Sequence, residues 1–231
     1  MNEPMRDTPI EFESGPNPTA SLIVLHGLGA DGQDFVPVCE ALQLAAIGAV
    51  RFVLPHAPVR PVTINGGYAM RAWYDILGTE GAGRGEDEAG LRASIGIVQG
   101  LVDRERARGI AAERIVLMGF SQGCAMTLCA GLRYPERLGG LVGLSGYLPL
   151  AAKTATERAA ANAGVPIFMA HGEQDEMIPI ARATASRDVL QTLGHATEWH
   201  SYPMGHSVCI EEIADLNGWL LRVWAAEGSK A

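Results

Sequence analysis

The chain has 231 residues, 48% of them apolar and 19% charged, with a formal net charge of -8, which suits one globular domain with a sizeable core. That charge argues against nucleic acid as the main partner, because phosphate recognition needs clustered Lys and Arg, and against an anionic membrane surface. The four cysteines, Cys39, Cys124, Cys129 and Cys209, form no CxxC pair, which argues against a zinc site, thioredoxin chemistry or a disulfide framework.

The first twenty residues lack the apolar core of a secretory signal. No apolar run approaches the ~18 residues of a membrane span. The chain therefore reads as cytoplasmic, with no stable membrane insertion. Residues 1–19 read as an N-terminal extension in which IEFES (10–14) is a candidate edge strand. Residues 20–226 read as a single domain. Short apolar runs follow at 21–27, 51–58, 114–121, 139–147, 165–172 and 196–204. Most are continuous rather than alternating, as strands buried on both faces of a parallel sheet should be. Between them, Leu91, Ile95, Val98 and Val102 step by three and four, predicting a helix over about 86–109 with Gly109 as its stop. A short exposed helix is predicted over 153–164. A last helix is predicted over about 207–226, with Ile210, Ile213, Leu216, Leu220 and Val223 on one face. GTEGAGRGEDE (78–88) reads as a Gly-rich loop. Strands alternating with helices imply right-handed βαβ units, hence an α/β fold with helices on both faces of a mostly parallel sheet.

Gly119-Phe120-Ser121-Gln122-Gly123 is the one G-x-S-x-G pattern in the chain. Composition alone yields roughly 0.13 such patterns per chain, so the flanks matter. An apolar strand precedes it and a helical pattern follows, which is the setting of a nucleophile elbow. Small residues two positions either side of Ser121 allow the strained turn. The turn would lift the hydroxyl above the sheet and aim the Gln122 N–H at the point where an oxyanion forms.

A serine hydroxyl needs a base, and in this arrangement the chain order is Ser, acid, His. Of His195, His200 and His206, only His206 follows the last strand and precedes the last helix, at the sheet edge to which the elbow points. The acid belongs after an intervening strand, where Glu173, Asp175 and Glu176 are the choices. Asp175, followed by Met177, Ile178 and Pro179, is preferred as the partner of the His206 Nδ1–H, with Glu173 and Glu176 left as alternatives.

The turn His26-Gly27-Leu28-Gly29 after the first strand supplies a second oxyanion donor, the Leu28 N–H. His26 itself reads as a structural residue that orders the turn. In the long segment 56–85, Tyr68, Met70, Trp73 and Tyr74 suit the roof of an acyl pocket. Anchoring of the loop onto the core is an equal reading for Trp73. No His or carboxylate spacing resembles a metal site.

LHGLGADG (25–32), INGGYAM..WYD (64–75), GFSQG (119–123), LSGYLP (144–149), HGEQD..IP (171–179) and GHS (205–207) together resemble the phospholipase/carboxylesterase family, which includes acyl-protein thioesterases. The nearest likeness is to its bacterial carboxylesterases, over residues 20–225. The resemblance implies an α/β-hydrolase fold without a large cap domain, nucleophile Ser121, acid Asp175, base His206, and oxyanion donors at Leu28 and Gln122. It implies a serine carboxylesterase acting on short- to medium-chain acyl esters, on thioesters or on lysophospholipids, with no cofactor. Acyl-protein thioesterase or lysophospholipase as the main activity, and a non-catalytic binding protein on a hydrolase scaffold, are the alternatives. A small-molecule or lipid ester is the implied partner, and a homodimer is compatible with the family. Cys124 stands where the family often has Gly, either as a buried inert thiol or as one activated at a helix N-terminus.

Overall fold

The computed structural model describes residues 8–78 and 86–228. Most of the Gly-rich stretch at 78–88 lies outside the described residues, as do residues 1–7. The strands are β1 (Ile10–Glu13), β2 (Ala20–Leu25), β3 (Val50–Leu54), β4 (Val59–Val62), β5 (Tyr68–Arg71), β6 (Ile115–Phe120), β7 (Gly140–Leu144), β8 (Ile167–Gly172) and β9 (Thr197–Tyr202). Seven of them form one sheet in the order β1-β3-β2-β6-β7-β8-β9. All neighbours are parallel except β1, which pairs antiparallel with β3. β4 and β5 make a separate antiparallel hairpin. The helices are α1 (Val36–Ala41), α2 (Glu88–Ala107), α3 (Gln122–Arg133), α4 (Ala151–Glu157), α5 (Ile180–Thr192) and α6 (Ile210–Gly228).

The continuous apolar runs reflect burial on two sides. In β2, Ile23 and Leu25 join a core with α2 and α3, while Leu22 and Val24 join a second core with α1 and α6. β6 divides in the same way, Leu117 to one side and Met118 to the other. Because successive side chains point to opposite faces, a strand covered by helices on both faces must be apolar at every position. This is the α/β arrangement predicted from the alternating strands and helices, a mostly parallel sheet with helices on both faces.

α3 is the innermost helix, with every residue from Gln122 to Leu132 buried. Gly131 and Gly140 make room for neighbours: a Cβ at Gly131 would strike Leu141, and one at Gly140 the Trp219 ring. The edge strand is held by charge as well as by its ladder. Arg51 of β3 bonds Glu13 of β1 at 2.9 Å and the fully buried Glu105 of α2 at 3.0 Å.

Two expectations need correction. The segment 153–164 is not one exposed helix. α4 ends at Glu157, a 3-10 turn covers Ala160–Asn162, and Asn162 is fully buried, where its amide bonds the Leu138 N–H and the Tyr134 and Glu136 carbonyls. α6 begins at Ile210, which is 81% exposed. The inward position of the first turn belongs instead to Glu212, beside Tyr202.

Neither Glu212 carboxyl oxygen has a hydrogen-bond partner among the described residues. Burial pushes this acid from its ordinary 4.5 up to about 8, and the nearby Cys209 amide offsets only part of that. The folded protein thus keeps a proton that the unfolded chain releases near pH 4.5. The associated stability is fully present below that pH and is lost as pH rises through about 8. Glu212→Gln should therefore melt close to the wild type at pH 5 and clearly above it at pH 9, by circular dichroism. A difference independent of pH would rule this account out.

Candidate active site

β6 ends at Phe120, and the chain enters α3 through Ser121 at φ 56°, ψ -116°. This is a left-handed, strained conformation for a non-glycine residue. Close packing enforces it. A Cβ at Gly119 would overlap the Gly123 carbonyl, and one at Gly123 would overlap the Leu25 carbonyl at the end of β2. Ser121 N–H donates to the Leu144 carbonyl at 2.9 Å, tying the turn to the end of β7.

The turn after β2 is pinned by His26. Its Nδ1–H donates to the Gly27 carbonyl at 2.7 Å, and its Nε2 accepts the Ala57 N–H at 2.9 Å. Only the neutral Nδ1–H tautomer satisfies both bonds. Burial, the largest influence, lowers the basicity of this ring and keeps it neutral. Gly29, at φ 77°, donates its N–H to the Arg71 carbonyl at 2.8 Å. Leu28, between these ties, lines the same cleft as Ser121 and Gln122.

The loops after β8 and β9 cross at Gly172, where a Cβ would collide with the Met204 and Gly205 carbonyls. The crossing places the fully buried Asp175 carboxylate against His206, with Oδ2 2.7 Å from Nδ1. Asp175 Oδ1 accepts the Met177 and Ile178 N–H groups, each at 2.9 Å. Of the two alternative acids, Glu173 bonds Ser201 at the surface and Glu176 lines the cleft, whereas Asp175 holds the imidazole. The His206 ring packs on Phe120, the residue before Ser121, with ring centroids 4.7 Å apart. His195 is buried 3.4 Å from the Val165 carbonyl, and His200 stacks on Phe168.

The cleft holds about 480 Å³ and is walled mainly by apolar groups, among them Ile64, Ile76, Ile178 and Pro179. Of the aromatic and Met residues assigned to its roof, Tyr74 lines it. Trp73 does not. It is fully buried, its indole N–H donates to the His26 carbonyl at 2.9 Å, and its own carbonyl accepts the Ser94 hydroxyl. An indole needs a partner when buried, and that bond makes Trp73 the anchor of its loop. Met70 sits over Gly29 and within reach of the Asn65 amide, outside the lining. Tyr68 is exposed on the hairpin.

Sequence reasoning missed three contributors. The Gln122 side chain clamps the long loop, accepting the Trp73 N–H and donating to the Tyr74 carbonyl, each at 2.9 Å. Tyr147 shares a 2.9 Å hydroxyl–hydroxyl bond with Tyr74, and Arg182 stacks 3.4 Å above the Tyr147 ring, both in the cleft wall. Tyr147 follows a strand at the carboxyl edge of the sheet, and that topological position was the available signal. Cys124 is fully buried, and burial raises its thiol well above the ordinary range, so it is held as an inert thiol. Gly143 and Gly146 leave room for it. Among the described residues no group of three or more His, Cys, Asp or Glu could hold a metal ion, and no helix is long and apolar enough to cross a membrane.

A serine elbow at the centre of such a sheet, with a His–Asp pair carried on later loops of the same edge, defines the serine hydrolases of the α/β-hydrolase fold. Residues 10–223 match the Phospholipase/Carboxylesterase family; the chain belongs to that family and is a serine ester hydrolase. It is 40% identical to acyl-protein thioesterase 1 of Neurospora crassa over 87% of this chain and 86% of the relative. It is also 40% identical to acyl-protein thioesterase 1 of Mycosarcoma maydis, over 94% of this chain and 97% of the relative. The crystal structure of Arabidopsis thaliana SOBER1 superimposes with a TM-score of 0.83 at 30% identity, over 88% of this chain and 98% of that one. These curated relatives are fungal thioesterases, so they give no support to a specifically bacterial likeness.

The Gln122 clamp yields a stability test. Gln122→Leu leaves the Trp73 N–H and Tyr74 carbonyl buried and unpaired, and should cost about 2–4 kcal/mol in urea unfolding. A loss below ~0.5 kcal/mol would mean that the clamp contributes little beyond its solvent-exchanged alternative.

Proposed function

We propose that Ser121 is the nucleophile of an acyl-enzyme mechanism, with His206 as general base, Asp175 as its orienting partner, and the Leu28 and Gln122 N–H groups as oxyanion donors. The observation that carries this reading is the 2.7 Å His206–Asp175 contact, on a ring packed against the residue preceding the strained Ser121. With Nδ1–H committed to Asp175, the His206 Nε2 lone pair is the basic site. It would take the Ser121 proton as the oxygen attacks the acyl carbonyl carbon, and return it to the departing alcohol or thiol. Water activated in the same way would then release the acid and regenerate Ser121.

The substrate is read as an acyl ester of short to medium chain, taken up by the apolar cleft without a cofactor. Thioester substrates are a second reading, favoured because the curated relatives over most of the chain are acyl-protein thioesterases. A lysophospholipid presents the same acyl ester chemistry.

A fluorophosphonate should label the protein, and Ser121→Ala should abolish both labelling and turnover. Absence of labelling together with absence of turnover of any nitrophenyl ester would favour a binding protein instead. Asp175→Asn should lower kcat by on the order of 10⁴, by presenting the wrong tautomer of His206. A loss smaller than tenfold would move the acid role away from Asp175.

For the substrate, kcat/KM across acetyl to palmitoyl nitrophenyl esters and matched S-acyl thioesters should peak at medium length. A flat profile would mean that the cleft does not hold the acyl chain.

A further inference from the structure

The Asp175 carboxylate is touched by a second imidazole. His171 is the penultimate residue of β8, is completely buried, and lies four positions before Asp175 in sequence. Its Nε2 is 2.8 Å from the Ile178 carbonyl and 3.3 Å from Asp175 Oδ2, the same oxygen that meets His206. A carbonyl can only accept, so Nε2 carries the proton, and Nδ1 is the bare nitrogen. That Nδ1 has no hydrogen-bond partner among the described residues.

We propose that His171 is a positioning residue for the hydrolytic reaction, a neutral imidazole whose single N–H closes the acid loop and fixes the Asp175 oxygen that His206 uses. This rests on the proposed roles of Asp175 and His206. The loop from Gly172 to Ile178 makes a tight circuit: Asp175 Oδ1 receives the Met177 and Ile178 N–H groups, and the Ile178 carbonyl receives the His171 N–H. The loop thereby returns to the strand that launched it. The carboxylate is held from both sides, and only the direction of Oδ2 toward His206 is left to the reaction. Nε2 also lies 3.3 Å from Oδ2 while its one N–H is given to the Ile178 carbonyl, so the ring bounds that oxygen by close packing and not by a hydrogen bond of its own.

Neutrality is essential to this role. A charged ring at 171 would compete for Asp175 and repel the imidazolium that forms at His206. Burial, the dominant influence, lowers the basicity of His171, with the nearby His206 acting in the same direction; the Ile178 and Asp175 contacts oppose it and do not prevail. An apolar residue would pack as well as the buried ring, yet would leave the Ile178 carbonyl unpaired.

The test compares three variants of the full chain. His171→Gln can place an amide N–H near the Nε2 position. His171→Asn reaches only the Nδ1 position, and His171→Leu has no donor. Each is assayed on a nitrophenyl ester and followed by proton NMR of the downfield His206 Nδ1–H resonance. Asn and Leu should lower kcat by about tenfold to a hundredfold with KM little changed, as a small displacement of reacting groups does, and should weaken or shift that resonance. Gln should recover kcat to within about threefold of the wild type and restore the resonance.

Asn serves as the donor-displaced variant if Leu fails to fold, with circular dichroism reporting the fold of each. Equal kcat in Gln and Asn, or an unchanged resonance in Asn, overturns the proposal. Asp175→Asn separates the two layers of the argument. If it keeps full activity, the assignment of the acid fails and His171 falls with it. If it is inactive while the donor-lacking variants match the wild type, only the role of His171 fails.

Discussion

The site depends on one steric constraint, the near-contact of two backbones at the start of α3. Gly123 rests against the Leu25 carbonyl and Gly119 against the Gly123 carbonyl. No side chain fits at either position, so the chain passes from β6 into α3 with no slack. The strain of the turn then falls on Ser121, whose φ is 56°. A strained residue persists only where its surroundings over-determine it. Here the surroundings are the buried helix behind it and the bond from its N–H to the end of β7. The same approach brings the Leu28 turn and the first residue of α3 to the floor of one cleft.

A second close approach repeats this logic at the other side of the site. Gly172 lets the loop after β8 run under the loop after β9, and the crossing is where Asp175 meets His206. The acid is not a surface group that reaches inward. It is fully buried, with main-chain donors on one oxygen and imidazole nitrogens on the other. Such a carboxylate has little freedom to choose another partner, which is what the proposed role of holding His206 in one tautomer requires.

Those features of the sequence that depend on local chemistry were readable. The two-sided burial of β2 and β6 shows as unbroken apolar runs. The elbow shows as glycines spaced about a serine, and the loop after the last strand carries one histidine. Features that depend on partners from distant segments were not readable. For Trp73 the sequence left pocket wall and loop anchor equally open, because an aromatic in a long loop suits both; the His26 carbonyl, 47 positions away, decides for the anchor. Ile210 fitted the helical stripe by spacing, but a stripe does not say where the helix begins to pack, and Glu212 took the buried place. The side chain of Gln122 was hidden behind its backbone, since a G-x-S-x-G pattern gives attention to the amide and leaves the amide side chain unexamined.

The long loop is therefore tied to both of the proposed oxyanion donors through buried hydrogen bonds. The Gln122 side chain holds Trp73 and Tyr74, and the Trp73 indole holds the carbonyl of His26, whose ring in turn orders the turn carrying Leu28. Starting from the residue beside the serine, these bonds pass through the loop and come back to the second proposed oxyanion donor. The two donors arise from different strands, separated by more than ninety positions in the chain, and nothing local fixes their separation. A closed circuit of buried hydrogen bonds does, because moving either turn would leave a buried donor or acceptor unpaired, at about 1–3 kcal/mol each. Preorganisation of an oxyanion site requires this kind of rigidity, since donors that must reorient as charge develops contribute far less than donors already in place.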